Sequence, residues 1–493
     1  MRLKQYILGF FITTFLMVSC KPDLDLVDPN QLSPDTFFKN EVQLQSAVNA
    51  IYANLQTRGL YARHMFFMMD NMAHENAGNP QLEADKVQYL NFSFPADHGA
   101  IFQYWDNCYR GINKANFVLD NAETADGVTE ATAKKNIGEA KFLRALYYFF
   151  LVTRFGDIPK YTTVTPEGQG RSPKAEIYQL IIDDLTEAAS SLLKKSEEPD
   201  AGRATSGAAN ALLGKVHLYL GNYNEAKTAF EKVIGSGEYQ LVDNFYDNFM
   251  EETEHNSETV FQVNFTGNNG GADAWGTTGT GVAEVTFRSQ EYGLTWFNVY
   301  PSDNLLDQFE DGDPRYQDSF YSNGDIIDPN GTATPAEIPL GRRAAWKKYE
   351  QYYKQPSSNT ESGINVNVIR YADVLLMMAE VENELGNITG AVDYLNQIRN
   401  RTSTSMPNYG TPEMNGTYPV TSKTEVFNAI VHERIVELCG EQVRFNDLLR
   451  WDMAKDVLAG TGFTVGKHEL FPIPQQEIDQ NEALSNADQN PGY

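Results

Sequence analysis

Two stretches of this chain, 210–234 (NALLGKVHLYLGNYNEAKTAFEKVI) and 371–399 (YADVLLMMAEVENELGNITGAVDYLNQIR), carry one helix-turn-helix template, and that recurrence constrains the fold most. In the first, Leu213, Gly214, Gly221, Tyr223, Ala226 and Phe230 stand at the offsets of a tetratricopeptide hairpin; in the second, Met378, Ala379, Gly386, Ala391 and Leu395 take the matching places. Small residues at 214 and 226 let the paired helices approach closely, while Phe230 fills the groove between them. Such a hairpin cannot bury its apolar faces alone and needs stacked neighbours. Helices around 101–120 and 139–155 supply them. The latter (EAKFLRALYYFFLVTRF) is apolar around most of its circumference, as a helix inside a bundle must be. Gly156 stops it and Pro159 follows as a second breaker. Further starts are marked by Ser172-Pro173, with proline at the first helical position, and by Ser422 with Glu425 as a capping box.

The character changes between the repeats. Residues 236–369 are rich in Gly, Asn, Asp and aromatics, with a strand-like run at 260–265 and a glycine-rich loop at 267–271 before Trp275. The fold class predicted is mainly α: a tetratricopeptide-like helical-repeat scaffold with an inserted lobe of irregular loops and short strands. Binding residues collect on loops held by a rigid scaffold, so the lobe is the place to expect them.

The N-terminus is a targeting segment. Arg2 and Lys4 precede an apolar run at 7–18, too short to span a bilayer, and no later stretch is long enough either. The run closes on Leu16-Met17-Val18-Ser19-Cys20, which looks like a lipobox with Cys20 as the lipidated residue; Met17 departs from the usual aliphatic. The acidic tether Lys21-Pro22-Asp23-Leu24-Asp25 resembles an export tag to the outer leaflet. The expected organisation is a lipoprotein signal peptide at 1–19, a lipidated tether at 20–35, the N-terminal part of the scaffold at 36–235, a ligand-binding lobe at 236–369, and C-terminal repeats with a tail at 370–493. A net charge of −27 argues against nucleic-acid binding and against a basic membrane-binding face. Cys108 and Cys439 lie in helix-like patterns and are expected to be buried free thiols.

Several motifs, in order along the chain, are similar to those of the SusD/RagB family of outer-membrane nutrient-binding lipoproteins. They are 105–119 (WDNCYRGINKANFVL), 139–148 with Arg154-Phe-Gly156-Asp157-Ile-Pro159, 302–315 (SDNLLDQFEDGDPR), 370–399, and Glu433-Arg434 with Glu441, Arg444, Asp447 and Arg450-Trp451. The terminal run from Phe471-Pro-Ile-Pro474 to Tyr493 also matches. The resemblance implies a lid over a SusC-like TonB-dependent transporter barrel, trapping ligand between the two proteins so that neither need bind tightly alone. It also implies a non-enzymatic protein without cofactor, on the outer membrane, whose cargo is a glycan or, as in the RagB branch, a peptide.

Glycan receptors need exposed aromatic planes for CH faces and carboxylates, amides and guanidinium groups for hydroxyls. Two regions have that chemistry: the polar segment containing Asp70, Asn71 and His74, and the lobe with Trp275, Arg288, Tyr292, Trp296 and Tyr300. Of these, Asp70, Asn71, His74, Trp275, Tyr292 and Trp296 are the candidate ligand residues, although Trp296, beside Phe297 and Val299, also reads as core. Trp105, Trp346 and Trp451 read as structural, and Arg144, Arg444 and Asp447 as members of buried or half-buried ion pairs and caps. Asp311-Gly312-Asp313 reads as a turn, lacking the further oxygens of a calcium loop. No zinc motif, nucleotide loop or nucleophile elbow occurs. A lipid-anchored glycoside hydrolase would need two carboxylates facing a cleft, and nothing selects a pair. A periplasmic scaffold would bind through a concave repeat surface instead.

Overall fold

The computed structural model describes residues 38–125, 127–267, 284–294, 296–327, 335–353 and 362–493; Cys20 and Trp275 lie outside them. The main helices are α1 (Glu41–Ala53), α2 (His64–Met72), α3 (Ala84–Leu90), α4 (Gly99–Asn121), α5 (Glu130–Phe155), α6 (Lys174–Ser191), α7 (Ser206–Tyr219), α8 (Tyr223–Ile234), α9 (Tyr371–Glu384), α10 (Ile388–Arg399), α11 (Lys423–Leu438) and α12 (Arg444–Arg450). Each packs on its successor in a continuous stack from α4 to α10, with α1 against α4 and α5, and α11 closing on α9. The fold is thus mainly α, and no described helix is long and apolar enough to cross a membrane.

Local sequence explains the elements. At Gly214 a β-carbon would overlap the Phe230 ring, and Phe230 is fully buried, so the α7–α8 hairpin closes because glycine leaves that space. The central helix α5 is buried along 138–152 except at Lys141 and ends at Gly156, whose φ of 73° suits glycine. Ser422 and Glu425 form the reciprocal capping box that opens α11. The Ser172-Pro173 signal is displaced by one residue: Pro173 is the extended cap, and α6 starts at Lys174. Asp313 caps the short helix Pro314–Ser319 by accepting from the Arg315 N–H, and Gly312 takes φ 81°. Cys108 and Cys439 are buried free thiols.

Between α8 and α9 the chain makes short antiparallel pairs. The strand Thr259–Val263 pairs with Val366–Arg370, and Phe320–Tyr321 pairs with Ala345–Trp346. A buried charge network joins this part to α11. Arg370 holds Glu258, Glu437 and Glu441, each at 2.7 Å. Arg315 holds Asp313, Glu433 and Glu437, and Arg401 holds Glu258 and Glu437. Charges removed from water survive only when so fully partnered. Arg144 and Asp184 pair at 2.8 Å, as do Arg434 and Asp447. The ion pair expected of Arg444 does not form: its Nη1 has no hydrogen-bond partner, and burial lowers its pKa despite Asp447 and Glu75 nearby.

Candidate ligand-binding face

The face is built on a strand pairing remote in sequence. Asn76–Gly78 pairs antiparallel with Val299–Pro301, setting Ala77 opposite Tyr300. Beyond the pair, Asn79 donates from its backbone to the Asn298 carbonyl at 2.9 Å and from Nδ2 to the Phe297 carbonyl at 3.1 Å. These bonds fix the loop that carries Trp296, whose neighbour Phe297 adopts φ 50° and is buried. The Phe297 ring lies nearly parallel to Tyr300 at 5.3 Å, and the Arg342 guanidinium sits 4.6 Å from the Tyr300 ring centroid. With its inner neighbours committed to packing, Trp296 stands 42% exposed. It is the only aromatic among the exposed large hydrophobics of the described residues. The core role considered for Trp296 is therefore corrected: Phe297 and Val299 point inward and Trp296 does not.

Asp70, Asn71 and Tyr292 are corrected in the opposite direction. All three are 0% exposed and out of reach of a ligand at the surface. The Tyr292 hydroxyl lies 3.0 Å from Asp70 Oδ2 and 3.1 Å from the Phe66 carbonyl, and accepts from Asn76 Nδ2 at 2.9 Å. Asn76 Nδ2 also donates to Asn71 Oδ1, and Asn76 Oδ1 accepts from the Trp346 indole at 2.7 Å. Gln442 closes the network by donating to Asp70 from its backbone and its side chain. Their role is positioning: the network pins the strand 76–78 from beneath. Burial drives the Asp70 carboxyl up against the pull of Arg288, and it pushes Glu75, beside Asp70, up to about 8. His74 sits at the edge, half-buried at φ 63°, its carbonyl accepting from the Ser302 hydroxyl at 2.6 Å. Its Nδ1 has no partner, and burial lowers its pKa, so the ring is neutral near pH 7.

Sequence reading passed over Asn79 and Arg342. The Asn79-Pro80 turn signal was available for the first; nothing local marks the second, which acts through Tyr300. Trp105 and Trp346 are buried, and the half-buried Trp451 donates to Glu380 at 3.0 Å, in keeping with structural roles. Among the described residues no His, Cys, Asp and Glu group could hold a metal.

The architecture is a helical-repeat scaffold that carries an exposed indole on a loop next to a short strand pair. Comparison with known proteins narrows the class. Residues 257–462 match the model of the SusD family, and residues 24–218 match a SusD-like model described as starch-binding, associating with the outer membrane. The chain belongs to the SusD/RagB family. SusD-like protein P25 of Formosa agariphila is 27% identical, the match covering 99% of each chain. A SusD superfamily protein from Bacteroides vulgatus superposes with TM-score 0.78 at 26% identity, over 93% of this chain and 100% of that one. A laminarin-binding SusD-like protein gives TM-score 0.76 at 26% identity, over 92% and 100%.

Proposed function

We propose that this protein is an outer-membrane lipoprotein, anchored through Cys20, that captures a glycan and passes it unaltered to a SusC-like TonB-dependent transporter barrel. The observation that carries the reading is the exposed Trp296 on the loop that runs into the 76–78/299–301 pair, a loop held by Asn79, with Arg342 packed on Tyr300 of the same pair. An indole face offers dispersion and CH contacts to a pyranose ring, and amide and guanidinium groups serve its hydroxyls. The description of the family as starch-binding and outer-membrane-associated supports the ligand class and the location, and the laminarin-binding relative supports the ligand class. His74 and Trp275 complete the proposed contact set. The test uses lipid-free protein from residue 21 onward against polysaccharides, oligosaccharides and peptides, measuring binding and product formation. Glycan binding without products is expected, and Trp296→Ala is expected to weaken it by about 1–3 kcal/mol. Sugar products would replace the reading by a hydrolase. Binding of peptides alone would assign the cargo of the RagB branch.

A further inference from the structure

A cleft of about 760 Å³ opens between the C-terminal ends of α5 and α7, the start of α6, α12 and the C-terminal tail. It shares no lining residue with the Trp296 face, and its volume falls in the range of about 300–1,000 Å³ usual for small-molecule sites. Its walls are largely apolar, including Val152, Leu220, Leu449 and Leu470.

Arg154 lines this cleft and is 3% exposed. Its Nη2 donates to Asn446 Oδ1, its guanidinium lies 4.9 Å from the Phe445 ring centroid, and its Nε has no partner. No carboxylate pairs with it. The buried arginines 315, 370, 399, 401 and 434 each hold carboxylates, as the cost of burying a charge requires. Arg154 is thus a buried cation whose counter-charge is missing, and burial lowers its pKa to about 10, leaving it protonated at neutral pH. Beside it in the cleft the Tyr219 hydroxyl is also buried without a partner.

Neither carboxylate of the lining forms an ion pair with Arg154: Asp157 accepts from the Lys174 N–H and Glu469 from the Gly466 N–H, while Arg450 is taken up by Glu380 and Asp447. Lys174 stands exposed at the rim, and Arg171 is tied to the Asp488 carbonyl and Asn490 of the tail. On a chain of net charge −27, the cleft thus holds one buried guanidinium without an ion pair among apolar side chains.

We propose that this cleft is a second binding site, for a small carboxylated ligand of the sugar-acid class, in which Arg154 receives the carboxylate and the Tyr219 hydroxyl donates a second hydrogen bond. An ionised acceptor suits both unpartnered donors, and the walls and side-chain amides are left for the body of the ligand. The site stands apart from the glycan reading above, since neither residue belongs to the Trp296 face.

The probe is D-glucuronate, with D-glucose as the neutral control and sulfate as a competing anion. Binding to the lipid-free chain from residue 21 is followed by titration calorimetry and saturation-transfer NMR at low salt. Saturable glucuronate binding is expected, with none for glucose. Arg154→Gln lowers the affinity tenfold or more, Arg154→Lys lowers it less, Tyr219→Phe lowers it several-fold, and Trp296→Ala leaves it unchanged. Lys174→Glu at the solvated rim, which leaves the packing intact, also lowers it several-fold and decides the matter if Arg154→Gln fails to fold. The proposal is overturned if millimolar glucuronate does not bind, if sulfate binds and glucuronate does not, or if the Lys174 and Tyr219 variants bind it as well as the parent. Loss of glycan binding in Trp296→Ala with glucuronate binding retained separates the two sites.

Discussion

Replacing Tyr292 by Phe distinguishes a residue that positions the binding face from one that touches the ligand. The ring stays: its edge-on contact with Phe66 at 5.3 Å and its place 4.6 Å from the Arg288 guanidinium are kept by phenylalanine. What is removed is one hydroxyl, which donates a single proton toward Asp70 Oδ2 or the Phe66 carbonyl and accepts from Asn76 Nδ2. Two bonds are therefore lost at a time. Asn76 Nδ2 keeps Asn71 Oδ1, so its loss sits near the net value of an ordinary hydrogen bond, about 1 kcal/mol. Asp70 keeps the Gln442 donors but loses one of its few partners in a fully buried site, which adds about 1–2 kcal/mol. A destabilisation of about 2–3 kcal/mol is expected in urea unfolding followed by circular dichroism, with unchanged m-value. Glycan affinity measured well below the unfolding transition should stay within about threefold of the parent, because the strand 76–78 remains paired along its length. Destabilisation below about 0.5 kcal/mol, or a loss of affinity as large as that of Trp296→Ala, would refute the positioning role.

Other expectations follow from the same structure. Arg401, Arg370 and Arg315 hold the Glu437 carboxyl well below its usual range, so its contribution is present above the unfolded pKa and lost as pH falls; Glu437→Gln should cost about 3–5 kcal/mol at pH 7 and flatten the acid limb of a stability–pH curve. Glu75 has the opposite sign. Burial and Asp70 raise it to about 8, so stability is lost as pH rises from the unfolded carboxyl value through 8, and Glu75→Gln should flatten that decline in thermal melts. Gly214→Val drives a side chain into the Phe230 ring and should destabilise by about 1–3 kcal/mol, whereas the same change at the open, exposed Gly99 should not, by urea titration. Burial raises both thiols, Cys439 to about 11 and Cys108 well above its ordinary value, so protein starting at residue 21 should resist a thiol reagent when native and titrate two thiols in denaturant.

The scaffold was legible because its determinants are local. Gly214 and Phe230 lie one helical hairpin apart, Ser422 and Glu425 three residues apart, and Gly156 acts on the helix it ends, so periodicity and spacing carried the information. The candidate face was only half legible. The two regions singled out do meet, through the pairing of 76–78 with 299–301, but Asp70, Asn71 and Tyr292, polar as a binding surface would be, are buried in a hydrogen-bonded network beneath that pair. Trp296, set among hydrophobic neighbours, reads as core and is exposed. Which polar residues go under and which indole stays out is decided by the pairing of 76–78 with 299–301, made between segments more than 200 residues apart. The same holds for charge. Sequence alone offered Arg144, Arg154 and Arg444 as similar helical arginines, and only the packed structure gives Asp184 to the first while leaving the other two without a carboxylate. Local geometry is encoded in spacing, whereas burial and ionic partnership depend on what the rest of the chain brings alongside.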